Sequence, residues 1–358
     1  MLHRMAMKTG CRLLVDVDAH PANWELYTKE RLMGLILSEE YPQSIQSKLF
    51  ALWKRIAGGL FLWAERGPLG RLSLAGLFRH WAQIVLYGMM PNPMEINGYK
   101  LYFHRAARST AWTFYRGDYE RETTETVRSL LKPGMTFVDL GANLGYFTIL
   151  ASRLVEPEGR VYAFEPEPAL RDSLTRNVQA NDCSDTAVVV PKAVSDTCGT
   201  ALLHLNELYS GAYSLFPTRN TTNTVEIETV TSDAFFQGLN WPTVDLLKMD
   251  VEGAEYHTLV GMRELLRRNP GAKLIVEFTP ATLARNGIAP EALLELLKEL
   301  GLTRISALHH TPLFVDLRDG IGTEELVRLA RSTCLNLLCE REEESPDSGL
   351  TTKNLFAN

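Results

Sequence analysis

The 358 residues hold few cysteines: Cys11, Cys183, Cys198, Cys334 and Cys339, an odd number with no C-x-x-C pair. That excludes a zinc ribbon and a disulfide framework and leaves reduced structural thiols as the expectation. Long apolar runs are missing too. The longest, Ile56–Ala64 and Trp81–Met94, fall short of the roughly 20 residues of a membrane-spanning helix. No charged start leads into an unbroken apolar core and a small-residue cleavage site, so a soluble, cytoplasmic protein is expected. The sequon Asn220-Thr221-Thr222 then meets no glycosylation machinery. Basic charge is not in excess either: the net charge of −6 gives the whole chain no electrostatic case for nucleic acid. Internal repeats are absent.

What is there is an ordinary globular composition, 45% apolar and 22% charged, in a chain long enough to bury a core and make about two domains. The charge is unevenly spread. Ten Lys and Arg residues between Tyr41 and Arg116 face only Glu65 and Glu95, so this segment is +8 and the remainder −14. Four of the six tryptophans, Trp53, Trp63, Trp81 and Trp112, lie in the same segment.

Residues 1–118 read as a helical and β extension. Helical spacing in Lys48–Ala64 and Leu72–Leu86 ends at Pro91-Asn92-Pro93, and Ile96–His104 alternates like a short strand pair around Asn97-Gly98. From 119 to 340, helices and apolar strands alternate. Strands are expected at Thr136–Leu140, Arg160–Glu165, Ala187–Val190, Ala201–Leu205, Val225–Val230, Val244–Met249, Lys273–Phe278, Thr303–Leu308, Pro312–Asp316 and Cys334–Cys339. Such a pattern signals an α/β fold with a doubly wound, mostly parallel sheet. The charged, Ser/Thr-rich tail 341–358 is expected to be disordered.

The sharpest local signal is the run Phe137 to Phe147, a strand, a tight turn and a helix start containing Asp139, Gly141, Asn143 and Gly145. Ligands of open α/β sheets sit outside the carboxyl ends of strands, where this turn belongs. Its glycines are four apart and an acid precedes them, which is not the dinucleotide pattern G-x-G-x-x-G. A pyrophosphate wants exposed N–H groups and no carboxylate nearby. Asp139 suits instead a ligand with an ammonium or sulfonium group, and S-adenosyl-L-methionine carries both. Glu165, 26 residues on at the end of the next strand, can accept hydrogen bonds from both ribose hydroxyls of an adenosine. Val190 to Asp196, with Ala193 at its centre, is either an apolar wall for adenine or an ordinary loop.

A second constellation, Asp245 to Glu255, packs charge around one strand end. Strands buried on both faces normally exclude Lys and Asp, so Lys248 beside Asp250 either lines a site or forms a buried pair that fixes the loop. Glu255 reads as a first-turn acid favouring its helix dipole.

The runs DLGANLGYFT at Asp139–Thr148, FEPEP at Phe164–Pro168 and KMDVEGAE at Lys248–Glu255, with Gly117-Asp118-Tyr119-Glu120 ahead of them, resemble the FkbM family of S-adenosyl-L-methionine-dependent methyltransferases. The resemblance covers about Gly117 to Cys339, in the expected order, and leaves the first hundred residues unmatched. It implies a class I methyltransferase (Rossmann-like) sheet and O-methylation, often of sugar or polyketide hydroxyls. By motif it puts Asp139, Gly141, Asn143 and Gly145 on the methionine part of the donor, Glu165 on the ribose and Asp250 beside the sulfonium and acceptor.

Methyl transfer needs alignment of donor and acceptor, and a hydroxyl acceptor gains from a base within hydrogen-bond distance. Asp250 is the first candidate, followed by Glu252 and Glu277, with Lys248 orienting the carboxylate or holding the acceptor. His257 reads more readily as a surface or packed histidine, and His309-His310 as either a turn or a reach into the site. Asp250, Glu277 and a histidine could hold a metal, yet no spacing demands one, and none is expected. The expected partner is a small-molecule or carbohydrate acceptor. The basic segment 41–116 is read as a cap on the main domain or a subunit, or as a surface for an anionic membrane or glycolipid-like acceptor. The alternative to an enzyme is a non-catalytic cofactor-binding scaffold on the same fold; a nicotinamide oxidoreductase is opposed by Asp139 and the missing third glycine.

Overall fold

A computed structural model describes residues 91–342 except 105–106, 108–109, 112–113, 115–118, 207–212, 219–220, 312 and 333. The chain divides into two units, Met1–Pro91 and Asn92–Asn358. The expected helical extension, most of the basic segment 41–116 and nearly all of the tail 341–358 lie outside the described residues.

The second unit begins with a hairpin, β1 (Met94–Ile96) and β2 (Tyr99–Leu101). Asn97 and Gly98 both take positive φ, 51° and 80°, as a two-residue turn between twisted strands requires. Asn177 of the helix α3 (Pro168–Ala180) and Asn181, which caps its carboxyl end, dock this hairpin by using their amides as a strand would. Asn177 Nδ2 donates to Tyr102 O at 2.8 Å, and Asn181 Nδ2 to Lys100 O at 2.7 Å.

The central sheet has eight strands, in the order β12 (Leu313–Asp316), β11 (Arg304–Leu308), β13 (Leu335–Glu340), β10 (Lys273–Phe278), β9 (Leu246–Met249), β3 (Thr136–Leu140), β4 (Arg160–Phe164) and β5 (Ala187–Val190). The five from β10 to β5 are mutually parallel, and β13 enters antiparallel between β10 and β11. This is the expected α/β class I methyltransferase sheet, with its strand order reversing between β3 and β9. The helices α1 (Arg121–Leu130), α2 (Tyr146–Val155) and α3 connect the first strands. Pro168 opens α3, and the Glu167 carboxylate caps it by accepting from Leu170 N at 2.6 Å.

Strand alternation explains where the site lies. Val138, Leu140, Leu247, Met249, Leu274, Val276, Leu335 and Leu337 point into one large core. The intervening residues point to the opposite face, where Asp139 is the register partner of Lys248, Lys248 of Ile275, and Glu277 of Asn336. Polar side chains thus gather on one side of the sheet, near the carboxyl ends of its parallel strands.

Several features differ from the sequence reading. Ala201–Leu205 and Val225–Val230 extend to β7 (Gly199–Asn206) and β8 (Thr221–Val230) and leave the main sheet. With β6 (Ala193–Val194), read as a loop or wall, they form a separate three-stranded sheet. The helices α4 (Ser232–Gly238), α6 (Arg263–Arg268) and α7 (Pro280–Arg285) were not expected; at six or seven residues each they are too short to show helical periodicity. The helix α9 (Thr323–Ser332) was also missed, because its buried Leu326, Val327 and Ala330 are scattered among charges. The sequence predicts a helix starting near Ala254 and another over Pro290–Leu300, and the helices α5 (Glu255–Val260) and α8 (Pro290–Glu299) stand there. No helix among the described residues is long and apolar enough to cross a membrane.

Candidate active site

The turn after β3 is folded against its neighbours more than it is opened to a ligand. Gly141 has φ 85°, and a Cβ there would stand 1.9 Å from the Asp250 carbonyl oxygen. Gly145, φ 87°, would set a Cβ 2.4 Å from Leu174 Cδ1. These glycines let the turn close on the β9 loop and on α3. The Gly141 and Ala142 N–H groups donate to Phe164 O at 3.1 and 2.9 Å, Asn143 N to Glu165 Oε2 at 2.9 Å, and Gly145 N to Ala142 O at 2.8 Å. With those amides committed, the turn is not built as a phosphate nest.

Glu165 is buried, and each oxygen accepts one backbone N–H, Asn143 at Oε2 and Glu167 at Oε1, both at 2.9 Å. Each oxygen keeps a second lone pair. Burial lifts its carboxyl to about 7, against the pull of the two amides. Asn143, at φ 51°, holds its Oδ1 buried without a partner, an acceptor waiting for a donor. Asp139 accepts from Thr148 Oγ1 at 2.6 Å; burial raises it to about 6, with Lys248 and Thr148 pulling the other way.

Lys248 is the hub of the acidic end. Its side chain is 3% exposed, its Nζ donates to Asp250 Oδ2 at 3.0 Å and stands 3.9 Å from Glu120 Oε1 and 4.7 Å from the centre of the Phe147 ring. Burial opposes its charge, but the carboxylates of Asp250, Glu120 and Asp139 outweigh that and hold it firmly protonated. Glu252 and Glu277 are pushed well above the usual carboxylate range by burial first, then by neighbouring carboxylates. Glu277 also accepts from Cys334 Sγ at 2.7 Å.

One cavity of about 210 Å³ joins these groups. Asp139, Gly141, Asn143, Glu165, Ala193, Lys248, Asp250, Glu252 and Glu277 all line it. Gly145 does not; it caps α2. Glu255 turns inward, accepts from Gly253 N at 3.0 Å and is raised to about 7 by burial, so it fixes the loop. His257 pairs with Asp196 at 2.9 Å, and the His309 and His310 rings lie 3.6 Å apart; none of the three lines the cavity. Among the described residues no group of three or more His, Cys, Asp or Glu is arranged to hold a metal ion.

Sequence reasoning gave Glu120 no role beyond the run Gly117-Asp118-Tyr119-Glu120 and missed Asn336. Glu120 precedes α1 in a left-handed conformation, φ 41°, and its carboxylate accepts from Asn336 Nδ2 at 2.8 Å. The signal was the lone polar residue in the apolar run of β13. Phe114, Tyr119, Leu203, Tyr213 and Leu215 also line the cavity; apart from Tyr119, which lies in the run ahead of α1, no motif announced them.

A buried carboxylate, Glu165, at one end, a charged carboxylate–lysine cluster at the other and a class I sheet beneath them define a methyltransferase cleft. The residues suit the donor: Glu165 and Asn143 offer acceptors, and the excess of acids over the two lining lysines complements ammonium and sulfonium charge. A family model described as a methyltransferase FkbM domain matches residues 139–302. Methyltransferase sdnD of Sordaria araneosa is 31% identical over 193 residues, 44% of this chain and 71% of that protein. Hexuronic acid methyltransferase AglP of Haloferax volcanii is 24% identical over 232 residues, 64% of this chain and 90% of that protein. The chain belongs to the FkbM family of S-adenosyl-L-methionine-dependent methyltransferases.

Proposed function

We propose that this methyltransferase transfers the methyl group to a hydroxyl of a sugar, glycolipid-like or secondary-metabolite acceptor. The bound donor supplies an electrophilic methyl on a sulfonium, which passes to the acceptor oxygen by in-line displacement while the S–C electron pair leaves with sulfur. Glu165 takes the ribose hydroxyls; Asp139, Gly141 and Asn143 face the methionine part, with Gly145 shaping the turn; Ala193 lies against adenine. Asp250 is the base that receives the hydroxyl proton. Lys248 fixes the Asp250 carboxylate from one side, and Glu252 and Glu277 border the acceptor.

The observation that carries this reading is the Lys248–Asp250 pair, 3.0 Å apart, opening into the cavity that Glu165 also lines. The name of the Haloferax volcanii relative favours a carbohydrate acceptor. Calorimetry with S-adenosylhomocysteine tests the donor half: binding in the parent and its loss in Glu165→Ala are expected, and unchanged binding in the variant refutes the ribose role. A labelled-methyl assay over a panel of hydroxyl acceptors, hexuronic sugars included, tests the other half. Turnover abolished in Asp250→Ala with donor binding kept is expected; donor binding with no turnover on any acceptor favours the scaffold alternative.

A further inference from the structure

The small sheet β6-β8-β7 sends one short segment across the cavity. Ser214 is buried and pinned on both sides: its backbone pairs with His204 of β7, N–H to O at 2.8 and 3.2 Å, and its hydroxyl donates to Glu252 O at 2.6 Å. Phe216 packs on the His257 ring at 5.6 Å, and the Ser214 hydroxyl also accepts from Phe216 N at 3.2 Å. The segment is therefore a fixed strap. It joins the Ala193 side of the cavity to the loop that carries Asp250 and Glu252.

Tyr213 and Leu215, flanking the pinned serine, both line the cavity. Tyr213 packs with Ala193 and Leu203 in a small apolar cluster, so it sits at the nucleoside end. Burial and the nearby Glu167 and Glu165 carboxylates push its phenol up to about 12, which keeps it neutral; Glu165 lines the same cavity.

We propose that Tyr213, held across the cleft by Ser214, is a nucleoside-contacting residue whose ring forms the wall against which the adenosine part of the donor packs. Adenine and a phenol ring are flat, apolar-faced partners, and base–aromatic contacts survive changes in hydrogen bonding. The inference rests on the donor site described above, and it adds a contact from outside the glycine turn and the β4 carboxylate.

Calorimetry with S-adenosylhomocysteine and with adenosine alone tests it on the full chain. Tyr213→Ala is expected to weaken both ligands by about tenfold or more, because the lost contact is to the part they share. Tyr213→Phe, which keeps the ring, should stay within about threefold of the parent, and Tyr213→Leu, which keeps apolar bulk for the small sheet, should lose as much as the alanine variant. Thermal unfolding without ligand reports on folding separately. Parent-like affinity in Tyr213→Leu, or equal losses in the phenylalanine and leucine variants, overturns the proposal. A parent chain that binds neither ligand overturns the donor site itself, which is a different result.

Discussion

Asn336 and Glu120 meet over the acidic cluster although 216 residues separate them: Asn336 Nδ2 donates to Glu120 Oε2 at 2.8 Å and also to Thr123 Oγ1 at 3.0 Å. Both lie outside the segment 139–302 that matches the family model. One comes from the entry to α1 and the other from the antiparallel strand β13, so the two flanks of the matched segment close one wall of the site.

This contact predicts a specific loss. Asn336→Ala removes the amide that serves the half-buried Glu120 carboxylate, and a hydrogen bond to a charged group is worth about 1.5–3 kcal/mol. Urea unfolding should show that decrease with an unchanged denaturant slope. An unchanged midpoint would mean that the amide holds nothing.

Lys248 carries more. It is the cation for Asp250, Glu120 and Asp139 at once. Lys248→Met leaves the buried Asp139 and the half-buried Asp250 and Glu120 carboxylates without compensation, and breaking a buried pair from one side costs up to about 3–5 kcal/mol. Adding Asp250→Asn to Lys248→Met should recover part of that loss, because one of the orphaned charges goes with it. A double-mutant cycle on thermal stability measures the coupling, and additive losses would contradict the pairing.

The glycines of the turn should rank by what a Cβ would strike. Gly141→Ala drives into backbone, the Asp250 carbonyl, from a left-handed conformation; Gly145→Ala meets only the end of the Leu174 side chain. Gly98, φ 80° with nothing within 4 Å, carries conformational strain alone, about 1 kcal/mol for an alanine there. Unfolding midpoints should therefore fall least for Gly98→Ala and most for Gly141→Ala. A reversed order would show that the turn relaxes freely.

Most of this arrangement was legible in the sequence because β strands alternate. Lys248 stood out as a charge inside an apolar run, Asp139 as the acid ahead of the glycine turn and Glu277 as a candidate base, and the sheet's register brings them onto one face. The glycine turn was legible as a site marker, though its glycines answer to Asp250 and Leu174 before any ligand. Glu120 and Asn336 were not legible as partners, since a contact over that separation depends on β13 slotting between β10 and β11. Tyr213 escaped for another reason: the sheet that presents it is reached through β6, two residues long, which carries no periodicity to read.

Glu165 should make stability and donor binding respond oppositely to pH. Its folded carboxyl is raised by burial to about 7 from the ordinary 4.5, so the protonated form favours the ligand-free fold. That contribution is fully present below pH 4.5 and is lost as pH rises through 7. Asp139, raised to about 6, and Glu255, raised to about 7, act with the same sign. The melting temperature of the ligand-free chain should therefore fall between pH 5 and pH 8, and Glu165→Gln should make the fall shallower. A ribose needs the ionised carboxylate as acceptor, so S-adenosylhomocysteine should bind about tenfold more tightly at pH 8 than at pH 6. In Glu165→Gln the affinity should drop and lose most of that slope. Affinity in the parent that is flat across this range would remove Glu165 from the ribose contact.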